Sequence, residues 1–194
     1  MRLTRLLILA VAVVFYANTA FADTSASGPL DVKASIPAGL TLEATVIDQL
    51  INAVVPSLDF SELVRVGNEF RSKTFFKVYL RINSVGDPCT LSQNGTDLVR
   101  QSGAEIMPRG AYTVLPEYIE GDNSGQPQPP GSSLGVRGTV VGPRLLYTDP
   151  TGSDRVITST YTLTGDPNTG ATEVITLDQK SGNYSGTVQF TLTT

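Results

Sequence analysis

The feature that most constrains this chain is a two-residue hydrophobic alternation that returns along most of its length. Residues Leu30, Val32, Ala34 and Ile36 are apolar, while Asp31, Lys33 and Ser35 between them are polar. The same pattern recurs at Phe76, Val78, Leu80 and Ile82, at Ile157, Tyr161 and Leu163, and at Tyr184, Gly186, Val188, Phe190 and Leu192. Successive side chains of a strand point to opposite faces, so this period predicts half-buried β-strands rather than helices. Threonine supports the prediction. Fourteen of the 23 threonines lie from Thr139 onward, and β-branched residues favour the extended, pleated environment. Gly and Pro punctuate the runs at short intervals, as turns between many strands require. The expectation is an all-β chain, an immunoglobulin-like β-sandwich.

The first 22 residues stand apart. Arg2 and Arg5 precede an uninterrupted apolar run over residues 6–15, and Ala20-Phe21-Ala22 follows as a small-x-small cleavage site. This is the pattern of a secretory signal peptide, and the run is too short to span a bilayer. The expected organisation is a signal peptide at 1–22, an N-terminal extension at 23–38 that is a candidate donor strand, and a sandwich domain at 39–194. The product is expected to be secreted, with no membrane span after cleavage.

Within the domain, residues 40–46 read as a second alternating run. Ile47, Leu50, Ile51 and Val54 have helical spacing, so a short helix stopped by Pro56 is expected over residues 47–55. A strand over 76–83 is the best central-strand candidate, with a turn at 85–88 after it. A strand over 110–119 is expected to be interrupted by Pro116. Residues 122–133, rich in Pro, Gly, Gln and Ser, should form an exposed loop. Short strands are expected at 136–141, 145–147, 156–163 and 174–177.

Composition narrows the chemistry. The chain carries 14 basic and 18 acidic residues, and loss of a leader holding two arginines makes the remainder more acidic still, so a nucleic-acid partner is not expected. There is no histidine, which removes the commonest general base and metal ligand. No catalytic residue, cofactor or metal is expected. Two carboxylates remain conceivable as a hydrolytic pair or calcium ligands, the nearest being Asp149 and Asp154, but Asp, Pro and Gly there suit an ordinary polar turn. Asp122 with Asn123 reads the same way. Cys89 is the single cysteine; lacking basic neighbours to activate it, it reads as a buried, unpaired thiol. Asn94-Gly95-Thr96 and Asn183-Tyr184-Ser185 match the N-glycosylation pattern, a short motif that arises by chance. The scattered aromatics suit core and cross-strand packing better than a sugar-binding platform.

The two ends carry a resemblance. The segment Leu30-Asp31-Val32-Lys33-Ala34-Ser35-Ile36-Pro37, followed by Leu40-Thr41-Leu42, and the closing run from Ser181 to Leu192 resemble major subunits of chaperone–usher fimbriae of the alternate colonisation-factor type. They also resemble the spore coat protein U group, as does Ser57-Leu58-Asp59-Phe60. The lone Cys89 departs from the cysteine pair of coat-protein-U-like pilins. The resemblance implies a subunit that lacks one strand and receives the N-terminal extension of its neighbour by β-strand addition. Leu30, Val32, Ala34 and Ile36 would then be donor-strand anchors. Tyr184, Val188, Phe190 and Leu192 would line the acceptor groove or its adjoining core. Partners would be identical subunits, a periplasmic chaperone and an outer-membrane usher, and the destination a cell-surface fimbria. The alternative is a monomeric secreted β-sandwich that binds a glycan or adhesion target, in which residues 30–36 simply form the first strand.

Overall fold

The computed structural model describes residues 31–35, 41–83, 86–120, 133–150, 152, 154–164 and 170–194. Residues 1–22, read above as a signal peptide, Leu30, Ile36, Val85 of the expected turn at 85–88, the expected loop at 122–133 apart from Ser133, and residues 165–169 lie outside them.

The described chain is almost entirely β. In order it forms β1 (Asp31–Ser35), β2 (Thr41–Asp48), β3 (Ala53–Val55), β4 (Leu63–Val66), β5 (Glu69–Ser72), β6 (Phe76–Asn83), β7 (Cys89–Gly95) and β8 (Val99–Arg100). After one 3-10 turn at Arg109–Ala111 come β9 (Tyr112–Glu120), β10 (Gly138–Thr139), β11 (Gly142–Asp149), β12 (Arg155–Leu163), β13 (Ile175–Thr176), β14 (Tyr184–Ser185) and β15 (Thr187–Thr193).

Two main sheets make a sandwich. One has the order β10-β9-β12-β6-β2-β3, the other β1-β15-β7-β11. Two small sheets, β13-β5-β4 and β14-β8, flank them. Their inner faces share one core, with Val78, Leu80, Ile82, Ile157 and Tyr161 from the first sheet and Leu91, Val188, Phe190 and Leu192 from the second, all fully buried. A polar tie crosses the sandwich: the Tyr161 hydroxyl on β12 donates to Gln93 Oε1 on β7 at 2.6 Å, and Gln93 Nε2 donates to the Val140 carbonyl at 3.3 Å. A buried amide is tolerable because its groups find partners.

The central strand reading of residues 76–83 holds: β6 lies between β12 and β2, and its burial alternates. The alternation expected of residues 156–163 is only half the picture, because Thr158, Ser159, Thr160 and Thr162 are buried too. β12 lies between β9 and β6, and its outer threonines stand in register beside Tyr79, Lys77, Leu115 and Glu117. Small β-branched residues flanked by larger ones lose exposure even on the outer face.

Three local expectations are corrected. Residues 47–55 form no helix: β2 runs to Asp48, and residues 49–52 turn back into β3. Asp48 Oδ1 accepts from Leu50 N at 2.8 Å and from the Thr74 hydroxyl at 2.6 Å, and Asn52 takes the left-handed conformation at φ 51°. An aspartate-nucleated turn and an asparagine tolerant of positive φ, with β-branched residues on both sides, outweigh an apolar spacing that fits either state. Pro116 does not interrupt β9, where it stands opposite Ser159. β10 pairs β9 only at Thr113 and Val114, so at Pro116 the strand has a ladder partner on one side, where a missing N–H is tolerated. Finally, the run from Tyr184 to Leu192 is broken at Gly186 into β14 and β15. A Cβ on Gly186 would stand 2.7 Å from the Asp97 carbonyl, so the close approach of that backbone demands glycine.

Candidate functional site: the β1–β15 edge

β15 presents its even residues inward and its odd residues outward. Val188, Phe190 and Leu192 are fully buried, whereas Gln189 and Thr193 are exposed. On one side β15 pairs antiparallel with β7, from Val188 opposite Gly95 to Thr193 opposite Thr90. On its other side lies β1, which runs parallel to it and forms the edge of the sheet.

The register brings together part of what the sequence analysis singled out. Val32 stands opposite Val188 and Ala34 opposite Phe190, with Asp31 at Thr187, Lys33 at Gln189 and Ser35 at Thr191. Two of the four expected anchors therefore occupy positions on the same edge as two of the expected groove residues. Leu30 and Ile36 lie outside the described residues. β15 extends two residues past β1, and Leu192 and Thr193 are in register with β7.

Tyr184 is set apart from the other three. It belongs to β14, opposite Arg100 of β8. Its hydroxyl donates to the Lys180 carbonyl at 2.7 Å and accepts from Gln179 Nε2 at 2.7 Å, so this fully buried ring anchors the strand entry into β15 instead of lining its edge. Just beyond it, Thr96 Oγ1 accepts from Thr187 N at 2.8 Å while Thr96 N donates to the Thr187 carbonyl at 2.9 Å. These bonds set where β15 begins.

In the other sheet β2 lies between β6 and β3, but β3 pairs with it only from Val46 to Asp48, so its first residues have a ladder partner on one side. Leu42 and Val46 are buried there, yet Ala44 between them, opposite the buried Leu80, is exposed. A residue on the inward-facing alternation that remains exposed marks an incompletely covered stretch of the sandwich margin.

The remaining candidates resolve into structure. Asp149 is buried; its carboxylate accepts from Gly152 N at 3.2 Å and stands 3.9 Å from Arg155 Nε, while Asp154 is exposed. The loop aspartate holds its own turn. Among the described residues no group of three or more His, Cys, Asp or Glu gathers as metal ligands would. Cys89 is buried opposite Asp149. Asn94 and Asn183 are both exposed. Most rings are in the core, where Phe60 packs edge-on against Phe76 at 5.1 Å and against Tyr112 at 5.7 Å.

Charge concentrates near β8 and β14. Glu105 meets Lys180 at 2.5 Å and Arg100 at 3.4 Å; the Lys180 hydrogen bond, with help from Arg100, lowers its carboxyl to about 2. Arg109 forms a two-pronged pair with Asp97 at 2.6 and 2.7 Å, and that hydrogen bond holds the Asp97 carboxyl below its usual range. These exposed pairs orient loops and contribute little to stability.

Sequence reasoning missed one surface. Leu50, Ile51 and Val54 at the β2–β3 turn are 63%, 62% and 70% exposed, and Phe75, whose carbonyl accepts from Gln49 N, is also exposed. The helical spacing of the first three was visible in the sequence, but it was read as a short helix, and nothing local shows that a turn would leave them exposed.

No protein-family model matches the chain, and no curated protein matches it.

Proposed function

We propose that this chain is a secreted structural subunit of a surface fimbria or coat, polymerising head to tail by β-strand donation. The observation that carries the reading is the occupant of the sheet edge. The order β2-β6-β12-β9 supports reading that sheet as the A-B-E-D sheet of an immunoglobulin-like sandwich, with β11, beside β7, as an addition to the sandwich. On that correspondence β7 takes the place of strand C and β15 that of strand F. Strand G belongs beside F, and that place is held by β1, a segment from the N-terminal side lying parallel to β15. An edge completed by a short, sequence-distant segment is an edge another copy's equivalent segment can complete.

The alternation of residues 30–36 suits such a donor, because only every second side chain can enter a groove. Each aliphatic anchor that becomes fully buried would contribute ~1.5–3 kcal/mol, with less from alanine. Donation from one subunit to the next is heterologous, so it propagates as a filament instead of closing. The resemblance at both ends adds a periplasmic chaperone and an outer-membrane usher as partners.

A second reading has an observation in its favour: β1 is seated on its own chain. That suits a monomeric secreted sandwich serving as a binding module for a glycan or adhesion target.

The two are separated by gels of protein starting at Asp23, unheated and boiled in SDS, beside a variant lacking residues 23–36. Strand donation predicts a ladder that collapses on boiling and is missing from the variant. A full-length protein that remains folded and monomeric without SDS gives the binding-module reading the lead.

A further inference from the structure

The geometry points to a binding site for one neutral sugar ring of a glycan, in the hollow between residues 105–106 and the 176–180 turn. The inference goes beyond the fimbrial reading. It holds for a subunit within a fibre as for a monomer, and it gives the second reading a place on the molecule.

Glu105, Ile106, Thr176, Asp178, Gln179 and Lys180 line a hollow of about 270 Å³. That is at the small end of ligand pockets, with room for one ring rather than a drug-sized molecule. Tyr184 of β14 fixes its wall. The Tyr184 hydroxyl accepts from Gln179 Nε2 at 2.7 Å and donates to the Lys180 carbonyl at 2.7 Å. Gln179 Nε2 also donates to the Ile106 carbonyl at 3.4 Å. Both amide protons have acceptors, which sets the orientation of the amide and leaves its Oε1 to accept from a ligand. The Thr176 hydroxyl donates to Asp178 Oδ1, and that bond holds the Asp178 carboxyl below its usual range. Lys180 and Arg100 likewise keep Glu105 ionised. The acceptors are therefore in position before a ligand arrives, so binding has little ordering to do.

Charge and shape then select the ligand. Glu105 and Asp178 are balanced by Lys180 and Arg100. An anion would meet the Asp178 carboxylate, and a cation would find Glu105 already paired with two others. No aromatic ring lines the hollow, so it has no cage for a quaternary amine. Calcium takes about six to eight oxygens, and no third carboxylate joins these two among the described residues. A hydroxyl-rich neutral molecule fits, because each hydroxyl can donate to a carboxylate or amide oxygen and accept from the Lys180 ammonium. Ile106, 47% exposed, supplies an apolar wall. A pyranose presents both surfaces at once, hydroxyls at its rim and C–H groups on its face.

Saturation-transfer difference NMR on the chain starting at Asp23 tests this, since it reads weak ligands on monomer and fibre alike. The probes are free glucose, galactose, mannose, fucose and N-acetylglucosamine, with N-acetyl-lysinamide as the cationic comparison. At least one sugar is expected to receive saturation at its ring C–H protons, with a Kd in the millimolar range that suits a single ring with few contacts. Asp178→Ala and Ile106→Ser, both at exposed positions, should each weaken that sugar at least tenfold, whereas Ile51→Ser at the β2–β3 turn should not. Circular dichroism checks that each variant folds, and the polar and apolar substitutions check one another. No saturation of any sugar overturns the site. Saturation that survives both hollow substitutions overturns it too, because the sugar is then held elsewhere. Saturation of N-acetyl-lysinamide alone overturns the sugar class in favour of a basic side chain. A chain that forms an SDS-resistant ladder but saturates no sugar loses this site and keeps the fimbrial reading, and the reverse result keeps the site and loses that reading.

Discussion

Two core tyrosines with different hydrogen-bond fates make the sharpest contrast at the scale of single residues. Tyr161 donates to Gln93 across the sandwich. The Tyr112 hydroxyl is buried with no hydrogen-bond partner among the described residues. Removing a paired hydroxyl strands its acceptor, at a cost of about 1–3 kcal/mol, whereas removing an unpaired one relieves a desolvated dipole. Tyr161→Phe is therefore expected to lower the unfolding free energy from urea titration by that amount, and Tyr112→Phe to leave it unchanged or raise it. Burial pushes both phenols above their ordinary range. A raised native value means that the contribution is whole below pH ~10 and drains as pH rises past it, by up to ~1.4 kcal/mol per pH unit for each tyrosine. Urea titrations from pH 9 to 11 should show that fall, shallower in Tyr112→Phe; a flat profile would contradict the burial argument. The sequence shows that these tyrosines sit on apolar-face positions, but not that Gln93 would face one of them. Gln93 is polar on an inward position of β7, a local exception that becomes sensible only when β12 lies across from it.

At the scale of elements, β7 carries the tightest constraint. It lies between β15 and β11, and Val140 crosses so close to it that a Cβ on Gly95 would stand 2.3 Å from the Val140 carbonyl oxygen. Gly95→Ala must therefore displace backbone, and overpacking of this kind typically costs about 1–3 kcal/mol. Denaturant unfolding checks it, and a shift of under 0.5 kcal/mol would mean that the 140–141 segment yields easily. The elements differ in how legible they were. β6 was plain, because eight alternating residues leave no competing reading. β3 was not, because three residues beyond an aspartate-nucleated turn look like the end of a helix until β2 is there to receive them. The split of β14 from β15 was likewise hidden, since Tyr184 continues the alternation perfectly and only the nearby Asp97 carbonyl makes Gly186 a break.

For the whole molecule, the shared core sets the behaviour. Buried residues from both main sheets and from the flanking strands, including Leu63, Ile175 and Tyr184, belong to one cluster. A single core predicts one cooperative transition, with far-UV circular dichroism and tyrosine fluorescence tracing coincident urea curves. Separated midpoints would show the small sheets unfolding as independent units. The exposed apolar tip at Leu50, Ile51 and Val54 contributes nothing to that core. Its turn is held by Gln49 N donating to the Phe75 carbonyl and Leu50 N donating to Asp48 Oδ1.

The division between sequence and tertiary structure follows from the range of the interactions. Side-chain periodicity is local, so the sequence by itself determined that the chain is β, which faces of β2, β6 and β15 turn inward, and that residues 30–36 alternate as a strand must. It also determined that no imidazole of its own is available to the chain, since a histidine that is absent cannot be supplied by folding. Strand partners are set by contacts between residues far apart in the chain. Residue 32 meets residue 188, and residue 93 meets residue 161, across separations that no local pattern encodes. Only the tertiary structure decided that β1 lies parallel to β15 at the sheet edge, because a strand of five alternating residues satisfies its own pattern equally well beside any apolar partner.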